Sequence, residues 1–355
     1  MSSKRLQSLD VLRGITVAGM ILVNDGYGDT FTMLKHSVWN GMTPCDLVFP
    51  FFLYIMGIST YLSLRKYQFK WSAPVARKVI KRTVLIFLIG LGINWLANVL
   101  GGDWGWGHLR IMAVMQRIAL CYCAVSLLAL TINHKYTLHV CVSLLLVYTI
   151  ILLVGNGYAQ DSTNIAARID NAVLGYDHLY HKSPVDPEGL LGTISAIAHT
   201  LIGFWCGRAM MKARSTNEKV LQFLLAGGIL VLGGYMLSYG LPLNKRIWSP
   251  SYVLMTCGLA SLLQGILMYV IDIRGRNRWA TFFLVFGVNP LFLYVLSEVM
   301  AIVFGHYGVN DWIYNGIHAV VTNTYWASFC FAMSYVLMCG AVGWWLYKRK
   351  IYIKI

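Results

Sequence analysis

Ten long apolar segments constrain the fold of this chain more than any other feature. Because a helix rises about 1.5 Å per residue, roughly 20 apolar residues cross the ~30 Å hydrocarbon layer of a bilayer. With 57% hydrophobic and 12% charged residues, the chain also has too little charge to cover a soluble surface. We therefore predict an all-α polytopic membrane protein, with residues 1–355 forming one domain, a bundle of about ten transmembrane helices. The predicted spans are residues 11–27, 47–64, 79–98, 112–131, 137–155, 191–211, 220–239, 251–272, 280–303 and 324–347.

The positive charges predict the orientation of these spans. Of the 29 lysine and arginine residues, 22 lie at the two termini and at the alternating junctions on the same side as the termini. This distribution follows the positive-inside rule, so both termini are expected in the cytoplasm and residues 34–46 outside. Short basic clusters between apolar segments do not form the continuous basic face typical of nucleic-acid binding, which we exclude. The longest loop, 156–190, is expected outside, either as a cap over an external site or as a solvated connector.

The cysteines and the N-terminus argue against several other classes of protein. The eight cysteines lie mostly inside apolar segments, without a spacing typical of disulfide frameworks or zinc sites, so we predict no metal. The first apolar segment is interrupted by Asp10 and Arg13 and lacks a small-residue cleavage site, which favours a retained span over a signal peptide. The chain contains no Asn-x-Ser/Thr sequon, which disfavours a glycosylated secretory-pathway protein.

Chemistry is expected where a polar loop runs into the second span, in LKHSVWNGMTPCDLVFPFFLYIMG at residues 34–57. His36, Asn40 and Asp46 lie in or beside this loop, and ionisable groups at a membrane edge are functional candidates. The chain has no Gly-x-Ser-x-Gly elbow, P-loop or paired cysteines. Histidine is therefore the best candidate for a general base or an acyl carrier.

Other polar residues in or beside the first two spans are predicted to support His36. The amide of Asn24, at the outer end of the first span, is placed to fix the histidine tautomer or to stabilise an oxyanion. Asp10 and Arg13 enter the same span from the inner side. Together with Asn40 and Asp46 they form the expected supporting set, because polar groups at such depth need partners.

Arg117 lies about two turns inside the fourth span and must meet a carboxylate, a carbonyl or a ligand phosphate. A structural ion pair with Asp10, Asp46 or Glu298 is the favoured interpretation. Binding of substrate or acyl donor is the alternative, for which Arg117 and Glu298 are both candidates.

Three further residues are candidates for substrate or donor binding. Lys245 and Trp248 lie just outside the eighth span, where they serve either as interfacial anchors or in recognition of an anionic or sugar ligand. Asn289 precedes Pro290, which is expected to break the ninth span and expose backbone groups. By contrast, His199 is expected to be a hydrogen-bonded core histidine.

Taken together, these segments resemble the heparan-α-glucosaminide N-acetyltransferase family of transmembrane acyltransferases. The resemblance covers nearly the whole chain, in the order expected for the family. The matching blocks are RLQSLDVLRG, MILVN, HSVWNGMTPCDLVFPFFLYIMG, VMQRIALCY, DPEGLLGT, LNKRIWSPSYVL and FGVNPLFLYVLSEV.

The resemblance implies acetyl transfer from cytoplasmic acetyl-CoA to the amine of a glucosamine-type sugar on the external side. It places the active-site histidine at His36 and an important asparagine at Asn24, and it implies a homodimer. The loop between these two residues is slightly longer than in the animal enzyme. Cys45 stands where alanine is common, and we interpret it as a packing variant, not a nucleophile.

The sequence leaves alternatives for the membrane, the acceptor and the class of protein. The extra luminal domain and leading span of the animal enzyme are expected to be absent, which with the missing sequons favours a bacterial inner (plasma) membrane protein. The acceptor could instead be a hydroxyl of a cell-envelope glycan. From a different class, ten helices with buried charge are also compatible with a transporter or flippase of an amphiphilic substrate.

Overall fold

The computed structural model describes residues 6–181 and 183–353, and within these residues the chain is helical and contains no β-strand. Short 3-10 turns and a π-helical turn, Met268–Ile273, connect or extend the α-helices. The α-helices are α1 (Gln7–Asn24), α2 (Val48–Arg65), α3 (Ala73–Leu100), α4 (Val114–Thr131), α5 (Thr137–Val154), α6 (Ile165–Leu174), α7 (Leu190–Lys212), α8 (Thr216–Ser238), α9 (Pro250–Leu267), α10 (Thr281–Val288), α11 (Pro290–His306), α12 (Val309–Val320) and α13 (Thr324–Lys348).

Eight helices in the described part of the chain are long and apolar enough to cross a membrane. A ninth candidate is the pair α10 and α11, which together pass the same test. The predicted first span forms α1. Because it contains polar residues such as Asp10, Arg13 and Asn24, α1 is not apolar enough to count among these candidate spans. The fold is therefore the predicted polytopic helical membrane bundle, with eight or nine candidate spans and the buried helix α1. The candidate spans are Pro44–Arg65, Ala73–Leu100, Val114–Thr131, His134–Val154, Leu190–Lys212, Thr216–Ser238, Pro250–Ile273 and Thr324–Lys348.

The centre of the bundle is formed where α2 packs directly against α7. A Cβ atom at Gly57 would lie 2.1 Å from the carbonyl oxygen of Thr200, and one at Gly203 would lie 2.1 Å from that of Tyr54. Glycine at both positions therefore allows the two backbones to touch, as is common between membrane helices. By contrast, few side chains of α3, α5 and α8 are buried, as expected of helices that face lipid.

The predicted break at Asn289–Pro290 is confirmed: α10 and α11 meet at an angle of 86°. The Asn289 side chain binds the C-terminal segment at this break. Its Nδ2 donates to the Ile351 carbonyl (3.0 Å), and its Oδ1 accepts from the Ile353 backbone N–H (2.8 Å). The Asn289 side chain thus joins the bend between α10 and α11 to residues 351–353.

The loop at residues 156–190 contains α6 and contacts the loop that carries His36. Trp39 Nε1 donates to the Tyr158 carbonyl at 2.9 Å. Asp170 on α6 accepts from the backbone N–H groups of Leu190 (2.9 Å) and Leu191 (3.3 Å), which begin α7. Burial raises the pKa of Asp170 to about 6. The loop is therefore ordered against the bundle, and its role as a cap stays a prediction.

Candidate active site

Asp46 is the buried centre of the polar turn that begins α2. Its Oδ2 accepts from the Ser37 N–H (3.1 Å), the Thr43 N–H (3.0 Å) and the Thr43 hydroxyl (3.1 Å). The hydroxyl of Tyr252 on α9 donates to the Asp46 carbonyl at 2.5 Å. The side chain of Asp46 is inaccessible to solvent, so its charge is held by protein donors and not by water.

His36 lies directly against this carboxylate. Its Nδ1 is 2.7 Å from Asp46 Oδ1, while 45% of its side chain is exposed. An ionised carboxylate only accepts hydrogen bonds, so Nδ1 carries the hydrogen and Nε2 of the neutral ring carries the lone pair. The pair thus fixes the tautomer in which the nitrogen remote from Asp46 acts as base or nucleophile.

Lys245, in the loop before α9, completes the cluster. Its Nζ lies 3.0 Å from Nδ1 and 3.2 Å from Nε2 of His36, and 3.6 Å from Asp46 Oδ1. The side chain is only 11% exposed. The structure therefore brings Lys245 and His36, 209 residues apart, into one site with Asp46.

The loop before α9 holds Lys245 in place by pairing with the His36 loop. Asn244 donates to the Asn40 side-chain oxygen at 3.2 Å, and the Gly41 N–H donates to the Leu243 carbonyl at 2.7 Å. Arg246 Nε donates to the Val38 carbonyl at 3.0 Å. Asn40 therefore supports the cluster by joining the two loops, and does not contact His36 through a hydrogen bond among the described residues.

Cys45 also contacts the histidine. Its Sγ is 3.1 Å from His36 Nδ1 and 3.8 Å from Nε2, and the residue is fully buried. Residues 36, 45 and 46 thus form one compact group with Lys245, and the assignment of Cys45 as a packing residue stays a prediction.

Asn24 belongs to a second polar cluster. Its Nδ2 donates to Glu298 Oε1 on α11 at 3.0 Å. The next residue, Asp25, is buried. In the described part of the chain, no hydrogen bond joins Asn24 to His36, so the two predicted catalytic residues contact different partners.

Arg117 and Trp248 lie in the interior. The guanidinium of Arg117 donates to the carbonyls of Pro187 (2.7 Å) and Gly189 (2.8 Å), and its carbon lies 5.1 Å from the centre of the Trp248 ring. Its partners are therefore carbonyls and an aromatic ring, where the sequence favoured a carboxylate. Both side chains are fully buried, and they support the segments that carry Lys245 and the start of α7.

Asp10 and Arg13 lie toward the opposite end of α1 from Asn24, at about 21 Å and about 17 Å along the helix axis. Arg13 donates to Asp10 (3.0 Å), to the Gly287 carbonyl (3.2 Å) and to the Ser59 hydroxyl (2.8 Å). These contacts join α1, α2 and α10. Their support of His36 is therefore indirect, through helix packing.

His199 is buried as expected, with Nε2 2.8 Å from the Pro50 carbonyl. Among the described residues, no three His, Cys, Asp or Glu side chains converge on a site that fits a metal ion. That no metal takes part in the reaction therefore stays a prediction.

Several residues of the site were not predicted from the sequence. The spacing Thr43-x-x-Asp46 has the form of a capping box and indicates their mutual contact. No local pattern indicates the contributions of Tyr252, Asn244 or the Lys245–His36 contact, because each partner lies about 200 residues away.

Comparison with known proteins shows which proteins this chain resembles. Residues 5–175 match the family profile described as "Heparan-alpha-glucosaminide N-acetyltransferase, catalytic". The chain is 30% identical to heparan-alpha-glucosaminide N-acetyltransferase of Homo sapiens, over 83% of this chain and 53% of the human protein. It is 30% identical to the Mus musculus protein of the same name, over 84% of this chain and 54% of that protein. The chain therefore spans about half the length of the curated relatives it matches.

Proposed function

Because this chain is a relative of the heparan-α-glucosaminide N-acetyltransferases, we propose that it is a membrane-embedded acetyltransferase. The donor is acetyl-CoA and the acceptor is the amine of a glucosamine-type sugar. The observation that carries this proposal is the His36–Asp46 pair, 2.7 Å apart, which leaves Nε2 with a lone pair in a half-exposed ring. Such a nitrogen is suited to both chemical routes that acyl transfer to an amine allows.

In the first route His36 is a general base. The acceptor nitrogen attacks the thioester carbonyl, a C–N bond forms and the C–S bond breaks. Nε2 takes the proton that the nitrogen loses and passes it to the departing CoA sulfur, so the products are the amide and CoA thiol. Asp46 stabilises the transient imidazolium without itself becoming protonated, since its oxygens are already held by Ser37 and Thr43.

In the second route His36 carries the acetyl group. Nε2 attacks the thioester, the C–S bond breaks and the CoA thiolate leaves, giving an acetyl-imidazolium because Nδ1 keeps its hydrogen. The acceptor amine then attacks the acetyl carbon and the C–Nε2 bond breaks. The proton that the amine loses balances the one taken up by the CoA thiolate, so the products are the amide, CoA thiol and neutral His36. The ammonium of Lys245, 3.2 Å from Nε2, is placed to stabilise negative charge on the carbonyl oxygen or on the leaving sulfur. Asn24 supplies an amide donor at the same end of the bundle. Arg117, Trp248 and Asn289 act by positioning, since their polar groups or rings contact protein.

The setting follows from the distribution of charge. We propose that the basic junctions and both termini face the cytoplasm and that His36 faces outward, so the thioester of cytoplasmic acetyl-CoA reaches the site through the bundle. The 156–190 loop then covers the external face. A bacterial inner membrane and a homodimer complete the proposal.

The decisive experiment is turnover of purified protein with acetyl-CoA and glucosamine. His36→Ala is expected to reduce thiol release by about 10²–10⁴-fold, the usual contribution of a positioned acid–base group. The matched control is His108→Ala, because His108 is a largely exposed histidine paired only loosely with Asp177 (3.8 Å). Unchanged turnover in His36→Ala would contradict the assignment.

Two further measurements distinguish the chemical alternatives. A burst of CoA thiol from acetyl-CoA without acceptor supports the acetyl-histidine route, and its absence supports direct transfer. Mass spectrometry of acceptors identifies N- or O-acetylation by the position of the acetyl increment. Movement of a substrate across vesicles without consumption of acetyl-CoA would replace the enzyme with a transporter.

A further inference from the structure

Two carboxylates, Asp25 and Glu298, lie near the end of α1 with no cationic side chain beside them. Asp25 follows the last residue of α1 and is 8% exposed. Glu298 on α11 accepts from Asn24 at 3.0 Å. Among the described residues, no lysine, arginine or histidine nitrogen lies within 4.0 Å of either carboxylate. Two neighbouring acids without a cation are costly unless a proton or a positive ligand joins them.

Two buried oxygen atoms at this place have no hydrogen-bond partner. One is Asp25 Oδ2. The other is the hydroxyl oxygen of Ser328 on α13, a residue with no exposed surface. The Ser328 hydroxyl faces the chain beside Asp25, since a Cβ atom at Gly26 would lie 4.0 Å from it. Buried polar atoms are nearly always paired in proteins, so an unpartnered carboxylate oxygen and an unpartnered hydroxyl beside the same segment can both accept from a ligand that enters there.

The cluster is open on one side and closed on the other. Asn24 is exposed, and its hydrogen bond to Glu298 is accessible to solvent. Tyr335 and Cys339 on α13 lie within range of the charge of Asp25, and Tyr294 on α11 lies beside Glu298. The helix α12 lies over the adjoining segment through Tyr314, whose ring is 5.0 Å from that of Tyr27. The Asn24–Glu298 pair is thus the exposed part of the cluster, and Asp25 is its buried part.

We propose that Asn24, Asp25 and Glu298 form a binding subsite for the ammonium group of the acceptor sugar. A primary ammonium has three donors and one positive charge, which match the unpartnered Asp25 and Ser328 oxygens and the charge of the two acids. This inference rests on the proposed acetyltransferase function and gives the site its selectivity for amines over hydroxyls, because a neutral hydroxyl carries no positive charge with which to replace the proton that Asp25 holds in the empty subsite. Asp25 is the residue that determines this specificity.

The empty subsite holds a proton in place of the ligand. Burial, with the negative charge of Glu298 second, raises the pKa of Asp25 to about 8. An entering ammonium takes over the role of that proton, which then leaves to water as the ligand binds. The bound ammonium returns one proton to Asp25 before reaction, so that the nitrogen that attacks the thioester is a neutral amine. Binding of the ammonium therefore strengthens as pH rises toward 8.

The first test is steady-state acetylation of glucosamine by the purified full chain. Asp25→Asn is expected to raise the KM for glucosamine by about 10- to 100-fold, as for loss of a charged hydrogen bond, with the KM for acetyl-CoA within twofold. Ser328→Ala should raise the glucosamine KM by about two- to fivefold. The matched control is Asp29→Asn, an exposed aspartate in the same loop, with unchanged constants.

The second test measures binding without acetyl-CoA, by calorimetry with glucosamine, N-acetylglucosamine or sodium chloride. Glucosamine is expected to bind the wild-type protein at least tenfold more tightly than N-acetylglucosamine, and Asp25→Asn should remove that difference. A sodium effect equal to that of glucosamine identifies a site for free cations and overturns the inference. If Asp25→Asn does not fold, Ser328→Ala decides: a raised glucosamine Kd supports the subsite and an unchanged one contradicts it.

The outcomes separate this inference from the proposed function. Turnover of glucosamine with an unchanged KM in a folded Asp25→Asn protein overturns the subsite and leaves the acetyltransferase intact. Selective binding of glucosamine through Asp25 in a protein that acetylates no amine supports the subsite and overturns the acetyltransferase.

Discussion

Asp46 and Asp25 are both buried aspartates near the same end of the bundle, yet their surroundings differ. Asp46 accepts hydrogen bonds from Ser37 and Thr43, contacts His36 at 2.7 Å and has Lys245 at 3.6 Å. Asp25 has an unpartnered oxygen and another acid, Glu298, as its charged neighbour. The first carboxylate is satisfied by the protein alone, and the second is completed only by a proton or a ligand.

The two aspartates therefore have different proposed roles: Asp46 prepares the catalytic histidine, and Asp25 recognises the substrate. A fully satisfied aspartate holds the imidazole in one tautomer before any substrate arrives, which lowers the reorganisation needed during the reaction. An unsatisfied one gains most when a complementary group enters, and so contributes to selectivity. Asp46→Asn should therefore mainly lower turnover, whereas Asp25→Asn should mainly raise the KM for glucosamine.

The largest effect is expected from Asp46→Asn. The amide can present its NH₂ group to Nδ1, which favours the opposite tautomer and places a hydrogen on Nε2. Turnover with acetyl-CoA and glucosamine should fall by about 10²–10⁴-fold, with a smaller change in the KM for glucosamine. Thiol release at saturating substrates measures this loss.

The control for that variant is again Asp29→Asn, which removes a charge from an exposed position nearby. Circular dichroism and size-exclusion profiles establish whether Asp46→Asn keeps the fold, since Asp46 also caps the turn before α2. A folded Asp46→Asn protein with more than a tenth of wild-type turnover would show that the tautomer is not set by this residue.

A smaller loss of turnover is expected from Lys245→Met, which roughly keeps the length of the side chain and removes its charge. We expect turnover to fall by about 10- to 100-fold, since one charged donor to a developing anion is lost. The KM for acetyl-CoA should change less than turnover. Lys35→Met, at an exposed position in the His36 loop, is the matched control. Equal effects of the two substitutions would assign Lys245 to general surface charge and not to the site.

The sequence indicates one half of this site because that half is local. His36, Thr43 and Asp46 lie within eleven residues, and the spacing of Thr43 and Asp46 is that of a capping box. The apolar segments likewise indicate the bundle and the break at Asn289–Pro290, since both depend on composition and on one proline. These features need no knowledge of which helices are neighbours.

The remainder of the site depends on helix packing, which a single sequence does not specify. Lys245 reaches His36 because Asn244 binds Asn40, and Asn24 reaches Glu298 across 274 residues. The same reason explains Arg117, for which the sequence demands a partner but cannot choose between a carboxylate and the carbonyls of Pro187 and Gly189. Polar residues in apolar segments thus predict that contacts exist, and only the fold assigns them.

The smallest expected effect concerns stability, and it tests the incomplete half of the comparison without any substrate. The pKa of Asp25 is raised from 3.8 to about 8 by burial and by Glu298, so the folded protein holds a proton that the unfolded chain releases. Its contribution to stability is full below about pH 4 and is lost as pH rises through 8. Asp25→Asn has no such loss, so thermal unfolding in detergent should show the variant and wild type alike at pH 5 and the variant more stable at pH 9. A difference of about 1–3 kcal/mol corresponds to about 2–4 °C for each kcal/mol. If the unfolding temperatures of variant and wild type differ by the same amount at pH 5 and pH 9, Asp25 is already ionised in the empty protein. The contrast between Asp25 and Asp46 would then rest on their hydrogen bonds alone.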